Sequence, residues 1–263
     1  MKDRLVHEID VKRAVILSEP TNLASVRVNV MNTTRVRTFA RSLAALAMTT
    51  LLVGTSLAQT APSARDILRT VRLEQAAREI NLQGQLRDGA IVVPFRLTQS
   101  GPVIRYSFTN PDEALQLRLG ENDSRLEEVT RSGTERITPA KFDQKVRGTG
   151  VPYEDLALKF LYWPNAKITG EETIRTRPCW KLEIHAPSRD SQYSSVNLWV
   201  DKTGGALMRM EGYDWNGRLV KRFEVVSAQK IDGQWFLKQM RIEQLEPGTT
   251  HVLDRTYLEI KRD

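Results

Sequence analysis

From Gln85 to the C-terminus the chain alternates apolar and polar residues with a period of two, and this confines it to antiparallel β structure. Ile91, Val93, Phe95 and Leu97 alternate with Val92, Pro94 and Arg96. Ile104, Tyr106 and Phe108 follow Ser100-Gly101-Pro102, and Leu115, Leu117 and Leu119 follow Asn110-Pro111-Asp112. In the second half, Trp180, Leu182 and Ile184 alternate with Lys181, Glu183 and His185; Val196, Leu198 and Val200 alternate with Asn197, Trp199 and Asp201. Leu219, Phe223 and Val225 share a face with Lys221, Phe236, Met240 and Ile242 share one with Lys238, and Val252, Thr256, Leu258 and Ile260 form the last run. Successive strand residues point to opposite faces, so each run offers one face to a core and one to water. Lys202-Thr203-Gly204-Gly205, Trp215-Asn216-Gly217 and Ile231-Asp232-Gly233 supply the positive φ that tight hairpins need. Turn signals roughly 8–12 residues apart predict an antiparallel sheet, sandwich or barrel.

Two segments break this period. Ser63 and Asp66 make a helix-capping pattern, and Leu73, Ala76, Ala77 and Ile80 then recur at helical spacing until Asn81 and Gly84. A helix here would cover an open end or face of the sheet. Between Gly150 and Pro164 the sequence VPYEDLALKFLYW places Tyr153, Leu156, Ala157, Phe160 and Leu161 on one helical face, with Glu154, Asp155 and Lys159 off it. Pro152 suits a first-turn position and Pro164 stops the helix. A short apolar helix inside a β chain needs a large apolar surface to cover. It is either a plug packed permanently into the core or a lid over an apolar cavity of the kind an open barrel provides.

The sequence from Met31 has the organisation of an export signal. Arg35, Arg37 and Arg41 form a basic region, and Ser42 to Leu57 form an apolar stretch too short for a comfortable membrane span. Ser56-Leu57-Ala58 is a small-x-small cleavage site before Gln59. Residues 1–30 are therefore expected to be an extension upstream of the true start, 31–58 the signal peptide, and 59–263 a single domain of the periplasm. A rival reading of 1–30 is a long cytoplasmic leader, and of the apolar stretch an N-terminal anchor helix. The whole chain holds 39 Lys and Arg against 32 Asp and Glu, but eight and four of these precede Gln59, leaving 31 against 28. A net charge of only +3 gives no reason to expect nucleic acid as a partner. The single cysteine, Cys179, precludes an intrachain disulfide.

Catalytic and metal signatures are missing. There is no G-x-S-x-G, H-E-x-x-H, Walker A or C-x-x-C sequence. After Gln59 the only histidines are His185 and His251, on separate predicted strands, and Glu171-Glu172 would point to opposite faces of an extended chain. No catalytic residue, metal ligand or cofactor is assigned, and the expectation is a protein that is not an enzyme; scattered carboxylates acting as acid and base would leave no local signature.

The run YSSVNLWVDKTGGALMRMEGYDWNGRLVK, Tyr193 to Lys221, resembles the LolA-like outer-membrane lipoprotein-sorting proteins, with a Tyr-led strand, an LWVDK hairpin and a YDWNGRLVK turn. The segments Val151–Trp163 and Arg177–Pro187 stand in the order that family requires, so the resemblance covers most of residues 59–263. It implies a mainly β fold with some α: an incompletely closed antiparallel barrel with an N-terminal helix and a helical lid. It also implies a carrier of lipoprotein acyl chains, working without catalysis, with an inner-membrane release complex and an outer-membrane receptor as partners. GPVIRYSFTNPDE, Gly101 to Glu113, is similar to a strand and turn of the sorting proteins in which an arginine before the proline holds the lid; Gly101 stands there, so that latch does not transfer.

On this reading the lipid-binding and lid residues are Tyr153, Leu156, Phe160, Leu161, Trp163, Met208 and Met210. Met208 and Met210, with Ala206, would share one strand face and give it the softness an acyl site favours, or would serve as ordinary core packing. Gln59 in place of a lipidatable cysteine favours a soluble shuttle. The alternative is an envelope-stress or interaction module on the same fold, binding lipoprotein and a membrane regulator.

Overall fold

The computed structural model describes residues 61–76, 79–231 and 233–261. The expectations for residues 1–30, for the signal segment 31–58 and for the boundary at Ala58–Gln59 lie outside the described residues. Thirteen strands form one sheet: β1 (Glu79–Asp88), β2 (Ile91–Ser100), β3 (Val103–Phe108), β4 (Glu113–Leu119), β5 (Ser124–Thr130), β6 (Gly133–Arg136), β7 (Lys167–Ile174), β8 (Arg177–His185), β9 (Ser195–Asp201), β10 (Leu207–Tyr213), β11 (Leu219–Ile231), β12 (Gln234–Leu245) and β13 (Val252–Lys261). Every pairing is antiparallel.

The spatial order is β6-β5-β4-β3-β2-β1-β13-β12-β11-β10-β9-β8-β7. The chain thus begins in the middle of the sheet, meanders out to one edge at β6, and reappears at the opposite edge as β7. It then meanders back until β13 pairs with β1. The edges β6 and β7 do not pair with each other, so the sheet is an unclosed barrel, as the family resemblance implies. Residues 137–166 must span from one edge to the other, and they do so across one face, here called the inner face.

Alternation sorts the strand residues as expected. Leu182, Ile184, Val196, Leu198 and Val200 are fully buried on the inner face. That face carries two apolar clusters. One gathers Leu82, Leu86, Phe95, Phe108, Leu117 and Leu126 with Ile242 and Leu258. The other gathers the β8–β10 residues with Phe160, Leu161 and helix α1 (Ala64–Ala76).

Helix α1 is capped as predicted: the Ser63 hydroxyl donates to Asp66 Oδ2 at 2.6 Å and accepts from the Asp66 amide at 3.2 Å. Its buried face, however, is Ala64, Ile67, Leu68 and Val71, and Leu73 is 58 % exposed. The helix also ends at Ala76, because Ile80, Leu82, Gly84 and Leu86 satisfy a period of two and join β1 instead.

Met208 and Met210 are separated. The β9–β10 register shifts between Leu207 and Arg209, and this bulge inserts one residue, which changes the phase of the strand. Met210 is buried in the inner cluster, whereas Met208 packs against Ile174, Cys179 and Trp199, a separate small cluster.

Candidate functional site

The site is the crossing segment and the apolar face beneath it. Its entry is pinned at Gly150, whose amide donates to Asp88 Oδ2 (2.6 Å) and Thr256 Oγ1 (3.0 Å) and whose carbonyl accepts from Lys221 Nζ (2.6 Å). A Cβ at Gly150 would lie 2.7 Å from Thr256 Oγ1, so only glycine permits this approach. Helix α2 (Tyr153–Ala157) follows, and then Leu158 adopts φ 50, ψ 28 and breaks the helix. A single 3-10 turn, Lys159–Tyr162, completes the cover. The expected continuous helix from Tyr153 to Trp163 is therefore two pieces. The inner face offers two clusters instead of one, and a straight helix could not serve both. Tyr153 and Leu156 pack on the first, Phe160, Leu161 and Trp163 on the second, and Leu158 touches both. The left-handed turn at a non-glycine residue costs about 1–2 kcal/mol, which the packing of both halves offsets.

The two halves are held very differently. The first is tied down by buried charge. Lys221, on β11, is 2 % exposed and lies 3.5 Å from Asp155 Oδ2. The Tyr193 hydroxyl donates to Asp155 Oδ1 at 2.7 Å. Glu154 accepts from the Ser191 hydroxyl and from the Gln192 amide (3.0 Å). Tyr193 reaches this position because Gly212 lies under its ring, where a Cβ would meet Cε1 at 2.5 Å. Burial raises the Asp155 carboxyl above its ordinary range, against the pull of Lys221 and Tyr193, and it raises Glu154 in the same way. Burial and the neighbouring Asp155 charge raise the Tyr193 phenol well above 10, so it stays a donor.

The second half is held by contacts nearer the surface. Lys159 pairs with Asp123 (3.2 Å), Tyr162 donates to the Gly120 carbonyl (3.2 Å), and Arg72 of α1 donates to the Leu161 carbonyl (2.6 Å) with its guanidinium 5.1 Å from the Tyr162 ring. The Lys159–Asp123 pair, near the surface, contributes roughly 0–1 kcal/mol.

At the mouth beside Tyr153 lies a cleft of about 430 Å³ lined by Phe108, Asn110, Pro111, Glu113, Glu128, Val146 and Arg147 among others. Arg147 closes one wall. Its guanidinium donates to Glu113 Oε1 (2.8 Å) and to the carbonyls of Thr109 (3.1 Å), Asn110 (2.9 Å) and Pro111 (2.8 Å), and it covers the Phe108 ring. The crossing segment is thus clamped to the Asn110-Pro111-Asp112 turn.

Of the residues proposed from sequence, Tyr153, Leu156, Phe160, Leu161, Trp163 and Met210 all contribute to the two inner clusters, and Met208 does not. Sequence reasoning missed Glu154 and Asp155 as buried groups, and Arg147 as a clamp. Lys221 carried the signal for the first: a lysine in phase with Leu219, Phe223 and Val225 requires a buried counter-charge. Glu171 and Glu172 do diverge, Glu171 to Lys202 and Glu172 to the Trp199 indole N–H (2.8 Å). Among the described residues no helix is long and apolar enough to cross a membrane.

A family model described as an uncharacterized protein matches residues 130–262, just over half of the chain. No curated protein matches. Three solved structures share the fold. A DUF1329 family protein from Desulfovibrio piger is 21 % identical, with TM-score 0.57 over 75 % of this chain and 90 % of its own. A putative outer membrane lipoprotein-sorting protein domain from Vibrio parahaemolyticus is 16 % identical, with TM-score 0.55 over 75 % and 91 %. A LolA superfamily protein from Nitrosomonas europaea is 18 % identical, with TM-score 0.53 over 76 % and 92 %. The LolA-like architecture expected from the sequence is therefore the fold of this chain.

Proposed function

We propose, from the premise that this chain belongs to the family of uncharacterized proteins whose model matches residues 130–262 and has the LolA-like fold, that it carries lipid or lipoprotein acyl chains through the periplasm without catalysis. The observation that carries this reading is the asymmetry of the cover. Residues 150–157 are anchored through a buried ion pair, whereas 159–163 rest on an apolar face through surface contacts and a left-handed joint at Leu158.

The magnitudes favour an exchange of cover for cargo. Lifting Phe160, Leu161 and Trp163 exposes three large side chains at about 1.5–3 kcal/mol each. An acyl chain that buries a dozen methylenes recovers roughly 0.8 kcal/mol for each, enough to offset that loss. The acyl surface would comprise Tyr153, Leu156, Phe160, Leu161, Trp163 and Met210, with Met208 outside it. Export through cleavage at Ala58–Gln59, loading at an inner-membrane release complex and delivery to an outer-membrane receptor complete the proposal.

The test is a fluorescent acyl probe titrated against wild type and Phe160→Ala. A moving cover predicts saturable binding to wild type. In the variant it predicts weaker binding with a stability loss below the about 3–5 kcal/mol of a core Phe truncation. A fixed plug would show that full loss and no binding by wild type.

A further inference from the structure

On the outer face of β2–β6, arginines outnumber carboxylates. Strand pairing sets Arg105 opposite Thr98 and Gln116, Arg118 directly opposite Arg125, Arg136 opposite Glu127, and Arg96 opposite Gln83 and Ser107. Leu115, Leu117 and Leu126, one position out of phase, are buried in the core, so the arginines point away from it. Glu127 is the one strand carboxylate set among them, and it accepts from Arg118 and Gln116, both at 2.9 Å. Arg96 donates to neutral Asn81 Oδ1 (2.8 Å), and Arg136 comes only within 3.8 Å of Asp123. Among the described residues Arg105 and Arg125 form no ion pair. The acids at the rim are turned to local tasks: Glu79 accepts from Ser100 and the Gly101 amide, and Asp123 pairs with Lys159, while Glu121 lies exposed in the β4–β5 turn.

Elsewhere on the sheet the same kinds of residue neutralise one another. Glu224 is held by Arg209, Arg175 and Arg241, Glu243 by Arg241 and Arg255, and Glu259 by Arg87. The contrast is therefore between balanced and unbalanced parts of one sheet. Like charges directly opposite across a strand pair destabilise the sheet, and the Arg118–Arg125 pair is offset only by Glu127, which both arginines share.

We infer that this face docks onto the anionic phospholipid headgroups of a bilayer surface. Exposed cationic side chains are drawn to the negative surface potential of anionic lipid. The other strand positions facing outward include Thr98, Val103, Ser107, Ala114, Gln116 and Val129, with no aromatic side chain among them. A protein interface needs large aromatic or apolar anchors, and single-stranded nucleic acid needs stacking platforms; this surface offers two half-buried valines, Val103 and Val129, and no aromatic side chain. Adsorption to an anionic bilayer needs only the charges. The inference concerns the face opposite the acyl surface and stands without it.

The experiment is cosedimentation of the full chain with vesicles of phosphatidylcholine alone or mixed with phosphatidylglycerol, at low and high salt. Binding is expected only to the anionic vesicles and is expected to be lost at high salt, since exposed charges are screened. Arg105→Gln with Arg125→Gln should weaken it by about tenfold or more. Arg105→Lys with Arg125→Lys should stay within a few-fold of wild type, because the bilayer reads charge. Circular dichroism checks that both pairs fold. All proteins carry the same N-terminal residues, so vesicle binding by that segment would appear equally in each. Failure of wild type to bind, equal binding to both vesicles, or undiminished binding by the glutamine pair would overturn the inference. So would binding to polyglutamate in solution without binding to vesicles, which would assign the face to an acidic protein.

Discussion

Lys221 and Asp155 illustrate how a pair of residues fixes the local architecture. Each is almost fully buried: Lys221 donates to the Gly150 carbonyl and lies 3.5 Å from Asp155 Oδ2, and Asp155 Oδ1 accepts from the Tyr193 hydroxyl. Removing one charge leaves the other buried and uncompensated, so Lys221→Met should cost about 3–5 kcal/mol in denaturant unfolding. Adding Asp155→Asn, which keeps an acceptor for Tyr193, should recover most of that loss; a strictly additive double variant would contradict the pairing. Glu154 adds a pH dependence. Burial raises its carboxyl above the ordinary 4.5. A folded value above the unfolded one means that the folded state holds the proton more tightly. The associated stability is full below the unfolded value and is lost as pH rises through the folded one. Glu154→Gln does not titrate. Wild type should therefore gain thermal stability relative to this variant as pH falls from neutral toward 4.5, whereas parallel melting profiles would contradict the assignment. These carboxylates were half-legible in the sequence: Lys221 was visibly in phase with apolar neighbours, but its partner lies on another element. Arg147 left no trace, because three of its acceptors are backbone carbonyls, which any sequence would supply.

At the scale of elements, most strands were readable because a period of two is a local property, visible within a few residues; β5, β6 and β7, polar on much of both faces, were not singled out. The helices were read less well where two periods competed. Ile80 fits both a helical stripe and the alternation of β1, and the sheet ladder won. The cover was legible as an apolar helical segment, but its break at Leu158 was not, because the break answers to two clusters brought together only by the fold. The bulge that separates Met208 from Met210 is equally non-local, since it exists only against β9. The break has a dynamic consequence. Amides of 159–163, resting on single 3-10 bonds such as Leu161 to Leu158, should exchange hydrogen before those of Tyr153 and Glu154, which bond to the Gln144 and Phe142 carbonyls across the segment. Exchange in the reverse order, or of both halves together, would contradict a hinge at Leu158.

At the scale of the molecule, the decisive feature is the route of the chain. Two meanders start and finish at adjacent central strands, so the link between their outer edges has to cross the sheet. A cover over the inner face is therefore a consequence of topology, and what the sequence adds is the composition of that cover: Glu154 and Asp155 buried in its first half, and Phe160 and Leu161 packed on the sheet in its second. Pairing order was out of reach of strand patterns, which specify faces but not neighbours; the family resemblance in Tyr193–Lys221 implied an incompletely closed barrel but not the order of its strands. The central claim is that the inner face accepts acyl chains beneath residues 158–163. A photoactivatable fatty acid, crosslinked to the protein and mapped by peptide mass spectrometry, tests it most directly. The account predicts adducts on Phe160, Leu161, Trp163 and the inner residues of β8–β10, such as Met210. Adducts confined to the outer face, or no adduct at all, would contradict it.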